Sequence, residues 1–161
     1  MGMEYVNVGK IVNTFGIKGE LKIVSRFEMA DKVFKVHNKI MINNNVYEIS
    51  GMRIHKNNYL VEIDNLKDIN LVEHLIGIDV FFNKADLNLG DNDYLISDLV
   101  GFVVKEDDKE YGEVTDYDDN KINPVIKVNN KFYIPLKGDF IVKVDKVNKI
   151  IYGKNISSLV L

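Results

Sequence analysis

The chain has 161 residues, of which 46% are hydrophobic and 28% charged, a composition typical of a globular protein with its own core. It contains no cysteine, which excludes disulfide bonds and cysteine-bound zinc or iron–sulfur centres. No apolar run approaches the ~20 residues of a membrane-spanning helix and the N-terminus lacks an apolar signal segment, so we expect a cytoplasmic protein with no membrane contact.

The net charge of -3 is distributed unevenly along the chain. Residues 1–86 balance 11 acidic against 11 basic side chains, whereas residues 91–120 carry 11 acids and only two lysines. Residues 121–161 reverse this with eight lysines against two aspartates. A protein that binds nucleic acid mainly through its backbone charge would carry a basic surplus. We therefore expect a basic or mixed partner, such as a ribosomal protein.

The first half of the chain is typical of short strands separated by turns. Strands are predicted at residues 5–12, 20–25, 39–42, 46–49, 59–63 and 79–82. Asn43-Asn44-Asn45 predicts a hairpin turn, because asparagine tolerates the left-handed backbone region. Residues 68–76 carry apolar side chains at helical spacing behind Asp68, which predicts a short amphipathic helix capped by that aspartate.

The polar segment 83–93 shows little periodicity and is the best candidate for a linker. After it, strands are predicted at residues 101–105, 111–116, 125–128, 131–134, 140–144 and 149–152, with a two-residue hairpin turn at Asn129-Asn130. Small strands in this number usually close into barrels that hide their edges. We predict a mainly β chain with one domain at 1–86, a linker at 87–93 and a second domain at 94–161.

No arrangement of residues indicates catalysis. His37, His55 and His74 lack metal-ligand spacing, and none of the serines lies in a nucleophile-elbow pattern. The acidic residues between 106 and 119 lack the glycine-bearing spacing of a calcium loop, and such a run is usually a solvated face. We predict no enzyme activity, no metal and no cofactor.

The sequence Gly16-Ile17-Lys18-Gly19 between the first two strands has more than one interpretation. A glycine-x-x-glycine loop with a lysine clamps nucleic-acid backbone in one class of RNA-binding domain, but there it lies between helices. A turn whose glycines supply positive φ is the stronger interpretation from the local pattern. Lys10, Lys18 and Lys22 still offer phosphate a weak, salt-sensitive contact.

The whole stretch GKIVNTFGIKGELKI, residues 9–23, closely resembles the opening signature of the RimM family of bacterial ribosome maturation factors. The matching residues are Gly9, Ile11, Thr14, Gly16, Gly19 and Glu20, while Phe15 stands where most members carry histidine. Residues 93–101, DYLISDLVG, resemble the family's entry into its second domain at Tyr94, Asp98, Leu99 and Gly101. There Leu95 replaces a second tyrosine and Ile96 replaces an aromatic residue. Matches at 60–63, 112–116, 123 and 134–135 extend the resemblance over nearly the full chain.

The resemblance implies a translation-factor-type β-barrel followed by a PRC barrel, with a short helix. It implies a protein that catalyses no reaction and assists assembly of the head of the small ribosomal subunit and processing of its rRNA. Members bind a head ribosomal protein, number nineteen, and leave the mature particle. The partners implied for this chain are that protein and the immature small subunit with its rRNA, bound by a monomer.

The resemblance also implies candidate site residues, which fall in two groups. The partner-binding group is Tyr94, Leu95 and Ile96, and the loop that would contact rRNA or a partner is Thr14, Phe15, Gly16, Lys18 and Gly19. Two interpretations of Tyr94 remain open: a partner contact, or an aromatic that packs the linker against a barrel. Glu20 would contact a ligand or fix the turn by accepting backbone N–H groups. The alternative function is a general RNA-binding barrel that acts through Lys10, Lys18, Lys22 and the late lysines.

Overall fold

The computed structural model describes residues 3–160, which form two compact units, one ending at Asn88 and the other beginning at Leu89. The division falls within the segment 87–93 that the sequence suggested as a linker. The prediction of a mainly β chain with two β domains and a short helix is confirmed. Within the described residues no helix is long and apolar enough to cross a membrane.

The first unit is a closed six-stranded barrel whose neighbouring strands are all antiparallel. Alternate side chains such as Leu21 and Ile23 point inward and are fully buried, which is the period-two burial expected of a strand with one face on a core. The strands are β1 (Tyr5–Phe15), β2 (Glu20–Val24), β3 (Lys39–Ile42), β4 (Asn45–His55), β5 (Asn58–Ile63) and β6 (Asp79–Asn83), in the order β1-β2-β5-β4-β3-β6.

The predicted helix at 68–76 is present but shorter. It consists of α2 (Ile69–Val72) followed by a 3-10 turn at Glu73–Leu75. The cap predicted at Asp68 is confirmed, because its carboxylate accepts a hydrogen bond from the backbone N–H of Asn70 at 2.9 Å. We label the helices in chain order, so α1 is a four-residue helix at Ala30–Val33 that the sequence did not predict.

Helix α1 is stabilised by packing against the barrel, and its own sequence provides no capping residue. Its N-cap, Met29, makes no side-chain cap hydrogen bond. The ring of Phe34, which follows the helix, stacks on Tyr59 of β5 at 4.5 Å between centroids, and the Tyr59 hydroxyl donates to Asp31 at 3.0 Å. Burial, together with the Asp31 carboxylate, raises the pKa of Tyr59 to about 12. These tertiary contacts explain why local periodicity did not reveal the helix.

The second unit is a six-stranded sheet around a single core that includes Val104, Ile126, Ile134 and Ile151. The hairpin turn predicted at Asn129-Asn130 is confirmed, and both asparagines adopt positive φ. The strands are β7 (Val103–Glu106), β8 (Lys109–Asp118), β9 (Val125–Val128), β10 (Phe132–Pro135), β11 (Ile141–Asp145) and β12 (Ile150–Gly153), in the order β10-β9-β8-β7-β12-β11.

The polar segment 83–93 begins with a helical turn and is irregular after it. A 3-10 turn at Lys84–Leu87 begins directly after β6, and a second one follows the segment at Ile96–Leu99. Asn83 caps the first turn by accepting a hydrogen bond from the N–H of Ala85 at 3.1 Å. The Lys146 ammonium donates to the carbonyls of Gly90 and Asp93 at 2.9 and 2.6 Å, which ties this stretch to the β11–β12 turn of the second unit.

Candidate functional site

The Gly16–Gly19 loop joins β1 to β2, and its two glycines have different roles. Both adopt positive φ, +67° at Gly16 and +88° at Gly19. A Cβ on Gly19 would overlap the backbone carbonyl oxygen of Leu66, whereas a Cβ on Gly16 would meet nothing within 4 Å. The carbonyl of Ile17 also accepts a hydrogen bond from the N–H of Ile69 at 3.1 Å. Gly19 therefore seats the loop against the start of α2, and Gly16 only turns the chain.

The tip of this loop is accessible. Ile17 exposes 77% of its surface and Lys18 is exposed, while Thr14 and Phe15 are half-buried. The structure thus brings together the five loop residues that the sequence suggested. Within that group, Lys18 is the charged side chain available to a ligand, and Gly19 is buried.

The Glu20 carboxylate is positioned by a side chain, Arg53 of β4. The Arg53 Nε and Nη2 donate to the two carboxylate oxygens of Glu20 at 2.9 Å each, the bidentate geometry of a charge-assisted pair. The same guanidinium lies 5.2 Å from the ring centroid of Phe15, and the rings of Phe15 and His55 are 5.0 Å apart. Phe15, which replaces the family's usual histidine, therefore lies between a cation and a second ring and keeps part of its surface accessible.

Sequence reasoning missed Arg53 and His55 for an identifiable reason. The alternating pattern predicted that the strand after the Asn43-Asn44-Asn45 turn ends at Ile49, but β4 continues to His55. Without that continuation nothing placed Arg53 beside Glu20, which is 33 residues away along the chain. A signal was available in the Lys56-Asn57 pair, whose positive φ forms the two-residue turn between β4 and β5.

Lys18 and Lys22 extend this cluster. The positive charge of Lys18 contributes to lowering the pKa of Glu20, so its ammonium lies near that carboxylate. Lys22 and Arg53 are the direct cross-strand neighbours of Leu60 on either side, and therefore project from the same outer side of the barrel. We call Phe15, Lys18, Lys22, Arg53 and His55 the basic–aromatic face.

Replacing Arg53 with methionine is expected to raise the pKa of Glu20 toward its ordinary value. The hydrogen bond from Arg53 is the main cause of the lowered pKa of Glu20, partly opposed by burial. A carboxyl group with a lowered folded-state pKa stabilises the protein above its unfolded pKa, and that stabilisation is lost as the pH falls through the folded pKa. The variant should therefore lose less stability on acidification. Carboxyl-carbon NMR titration of Glu20 measures the shift.

Lys18→Gln is the matched control for this titration, because Lys18 is the weakest of the causes that lower the pKa of Glu20. It should move the titration much less than Arg53→Met does. An unchanged Glu20 titration in the Arg53 variant would contradict the pairing.

The second unit carries an acidic cleft on the outer side of its sheet. The cleft has a volume of about 670 Å³ and lies along the ends of β8, β9 and β10. Both of its tyrosines are accessible, Tyr117 with 38% and Tyr133 with 52% of the surface exposed. Its lining residues are Asp116, Tyr117, Asp118, Asp119, Val125 and Tyr133. Among residues 3–160, however, no three His, Asp or Glu side chains are grouped so that they could hold a metal ion.

The three residues predicted to bind a partner differ in accessibility. Tyr94 is half-buried and packs against the core of the second unit, whereas Ile96 belongs to that core and exposes only 5%. Leu95 exposes 2%. Asp98, which also matches the family signature, accepts a hydrogen bond from the N–H of Leu95 at 3.1 Å and so stabilises the 3-10 turn. In this conformation Tyr94 alone of the three presents substantial side-chain surface.

Both halves of the chain match known domain families. Residues 6–87 match the RimM N-terminal domain, and residues 96–155 match the RimM PRC barrel domain. The chain belongs to the RimM family. The resemblance noted from the sequence is thus confirmed, and the fold of the second unit is that of a PRC barrel domain.

Curated relatives of this RimM chain cover almost its whole length. A protein from Staphylococcus epidermidis named "Ribosome maturation factor RimM" is 33% identical over 155 residues, which is 91% of this chain and 93% of that protein. A relative of the same name from Ligilactobacillus salivarius is 37% identical over 160 residues, covering 92% and 95% of the two chains. The match therefore includes both RimM domains in a single protein.

Proposed function

We propose that this protein is a ribosome maturation factor that acts by binding, without catalysing a reaction. It assists assembly of the head of the small ribosomal subunit and processing of its rRNA. The observation that carries the proposal is the match of both RimM domains, in order, to relatives that bear the name ribosome maturation factor over more than 90% of their length. Its place of action is the cytoplasm, where ribosomal subunits assemble.

The proposed protein partner is the head ribosomal protein number nineteen. Ribosomal proteins are generally basic, and the acidic cleft offers three aspartates beside two accessible tyrosines. Complementary charge speeds and orients such an encounter, and tyrosine is enriched at the centres of protein interfaces. Tyr94, which precedes the 3-10 turn at Ile96–Leu99, is the proposed contact, because its half-buried ring leaves part of its surface to a partner.

The intact protein, as a monomer, is expected to recover immature small subunits from a bacterial lysate, and Tyr94→Ala to recover several-fold less. Loss of a well-packed interface tyrosine costs about 2 kcal/mol or more of binding free energy, which is more than a tenfold change in affinity. Quantitative mass spectrometry of the co-purified ribosomal proteins measures the recovery.

Tyr94→Phe is the control, because it keeps the ring that packs against the core and removes only the hydroxyl. If Tyr94→Ala recovers as much as the intact protein at equal thermal stability, the contact does not involve Tyr94, and Asp118→Asn in the acidic cleft tests the other surface. Recovery of bulk RNA without ribosomal proteins would contradict the proposal and favour a general RNA-binding barrel.

A further inference from the structure

The basic–aromatic face of the first unit combines ring surface with positive charge, on strands that are far apart in the sequence. We propose that this face binds a single-stranded RNA segment, with a base stacked on Phe15 and His55 and with phosphates bound by Lys18, Lys22 and Arg53. The inference rests on the proposed function only for the source of the RNA, which would be the rRNA of the immature small subunit.

The two rings are arranged for stacking by a third. Their centroids are 5.0 Å apart with an interplanar angle of 59°, so they meet at a tilt and their faces do not cover each other completely. Both residues are half-buried, which leaves ring surface accessible while the rest is fixed by packing. Fixed and partly exposed aromatic rings are what proteins use to stack unpaired bases of any sequence.

Arg53 lies over the Phe15 ring, and the two lysines lie on the same face. A guanidinium carries five N–H groups, and Glu20 accepts two hydrogen bonds from Arg53, so donors remain for a phosphate. The Arg53 side chain is 56% exposed although its orientation is fixed by that pair. Lys18 is exposed at the loop tip. Lys22 is the neighbour of Leu60 on β2, as Arg53 is on β4, so the two cations lie on either side of β5.

The carboxylates near these cations are engaged by neighbours. Glu20 is paired with Arg53, and Glu62, further along β5, accepts a hydrogen bond from the Ser50 hydroxyl at 2.7 Å. Lys67 and Asp68, which follow Leu66 beside Gly19, add one charge of each sign, and the Asp68 carboxylate accepts a hydrogen bond from the N–H of Asn70. Four cations against three carboxylates leave a modest positive surplus on this face, in a half of the chain whose total charge is balanced. This surplus predicts moderate, salt-dependent affinity rather than tight binding.

Single-stranded RNA fits this surface better than an acidic peptide or a duplex. An acidic peptide would use the three cations but would leave the rings of Phe15 and His55 without a matching group. A duplex would offer phosphates but hide the faces of its bases. Only an unpaired strand presents both phosphates and base faces.

The test is a fluorescence-anisotropy titration of the full-length protein with a labelled, unstructured RNA oligonucleotide over a range of potassium chloride concentrations. Phe15→Leu should weaken binding about tenfold without changing the salt slope, because stacking carries no charge. Lys18→Gln and Lys22→Gln should each reduce the slope of log affinity against log salt by about 0.7. The matched control is Lys39→Gln on β3, an exposed lysine outside this face.

Equal affinities and slopes in Lys18→Gln, Lys22→Gln and Lys39→Gln would overturn the inference, and so would binding of a polyglutamate peptide or an RNA duplex in preference to the single strand. The exposed position of Lys18 guards against a loss caused by misfolding. Failure of the proposed function is distinguishable, because it appears as absence of small subunits in the pull-down with the intact protein. Subunit recovery with unchanged RNA binding in the variants would leave the proposed function standing and remove only this inference.

Discussion

Gly19→Ala is expected to lower the free energy of unfolding of the first unit by about 3 kcal/mol. A non-glycine residue held at positive φ costs about 1–2 kcal/mol, and the added methyl group adds a steric cost. That group would overlap the carbonyl oxygen of Leu66 and crowd the backbone nitrogen of Asp68, neither of which can rotate away. Urea unfolding followed by far-UV circular dichroism measures the change.

Gly16→Ala provides the matched comparison, because the backbone there also has positive φ but the space around it is open. It should cost only the conformational term, about 1 kcal/mol. Equal costs at the two positions would show that the segment around Leu66 moves to accept the methyl group. The expected difference would show that packing requires a glycine at position 19, whereas Gly16 is needed only for its backbone conformation.

That comparison also shows why the loop could be found from the sequence but not explained by it. The two glycines look alike in the sequence, and a turn with positive φ accounts for both. The carbonyl of Leu66, which distinguishes them, belongs to a segment that follows β5 and reaches Gly19 only in the folded barrel. Local conformational preferences are visible in a sequence, whereas close approach between distant backbones is not.

The same distinction applies to the other elements. The turn at Asn129-Asn130 and the cap at Asp68 were predictable, because each depends on the chemistry of residues next to each other. The parallel pairing of β7 with β12 was not, since it joins strands from opposite ends of the second unit and no turn signals it. Arg53 belongs to this second class, because its role depends on Glu20, which lies on the far side of β5 in the sheet and 33 residues away in the chain.

Ile96→Ala is expected to lower the free energy of unfolding of the second unit by about 2–4 kcal/mol, the usual cost of removing three carbons from a packed core. Ile96 exposes 5% and lies in the same cluster as Leu99, Val104 and Ile151. Any loss of small-subunit recovery by this variant should therefore follow the loss of folded protein rather than the loss of a contact. Thermal unfolding and small-subunit recovery, measured on the same preparation, test this.

Ile96→Val separates the two explanations, because it removes one methyl group and should cost about 1 kcal/mol while the unit stays folded. If Ile96 acts only through the core, small-subunit recovery by this variant equals that of the intact protein. A large loss of recovery with little loss of stability would instead mean that the 3-10 turn at Ile96–Leu99 opens to a partner.

The RimM resemblance placed Ile96 where other members carry an aromatic residue. Isoleucine and an aromatic residue have in common a large apolar side chain that is usually buried. If stability and small-subunit recovery change together, Ile96 contributes to the stability of the second unit, and recognition remains assigned to Tyr94 and the acidic cleft.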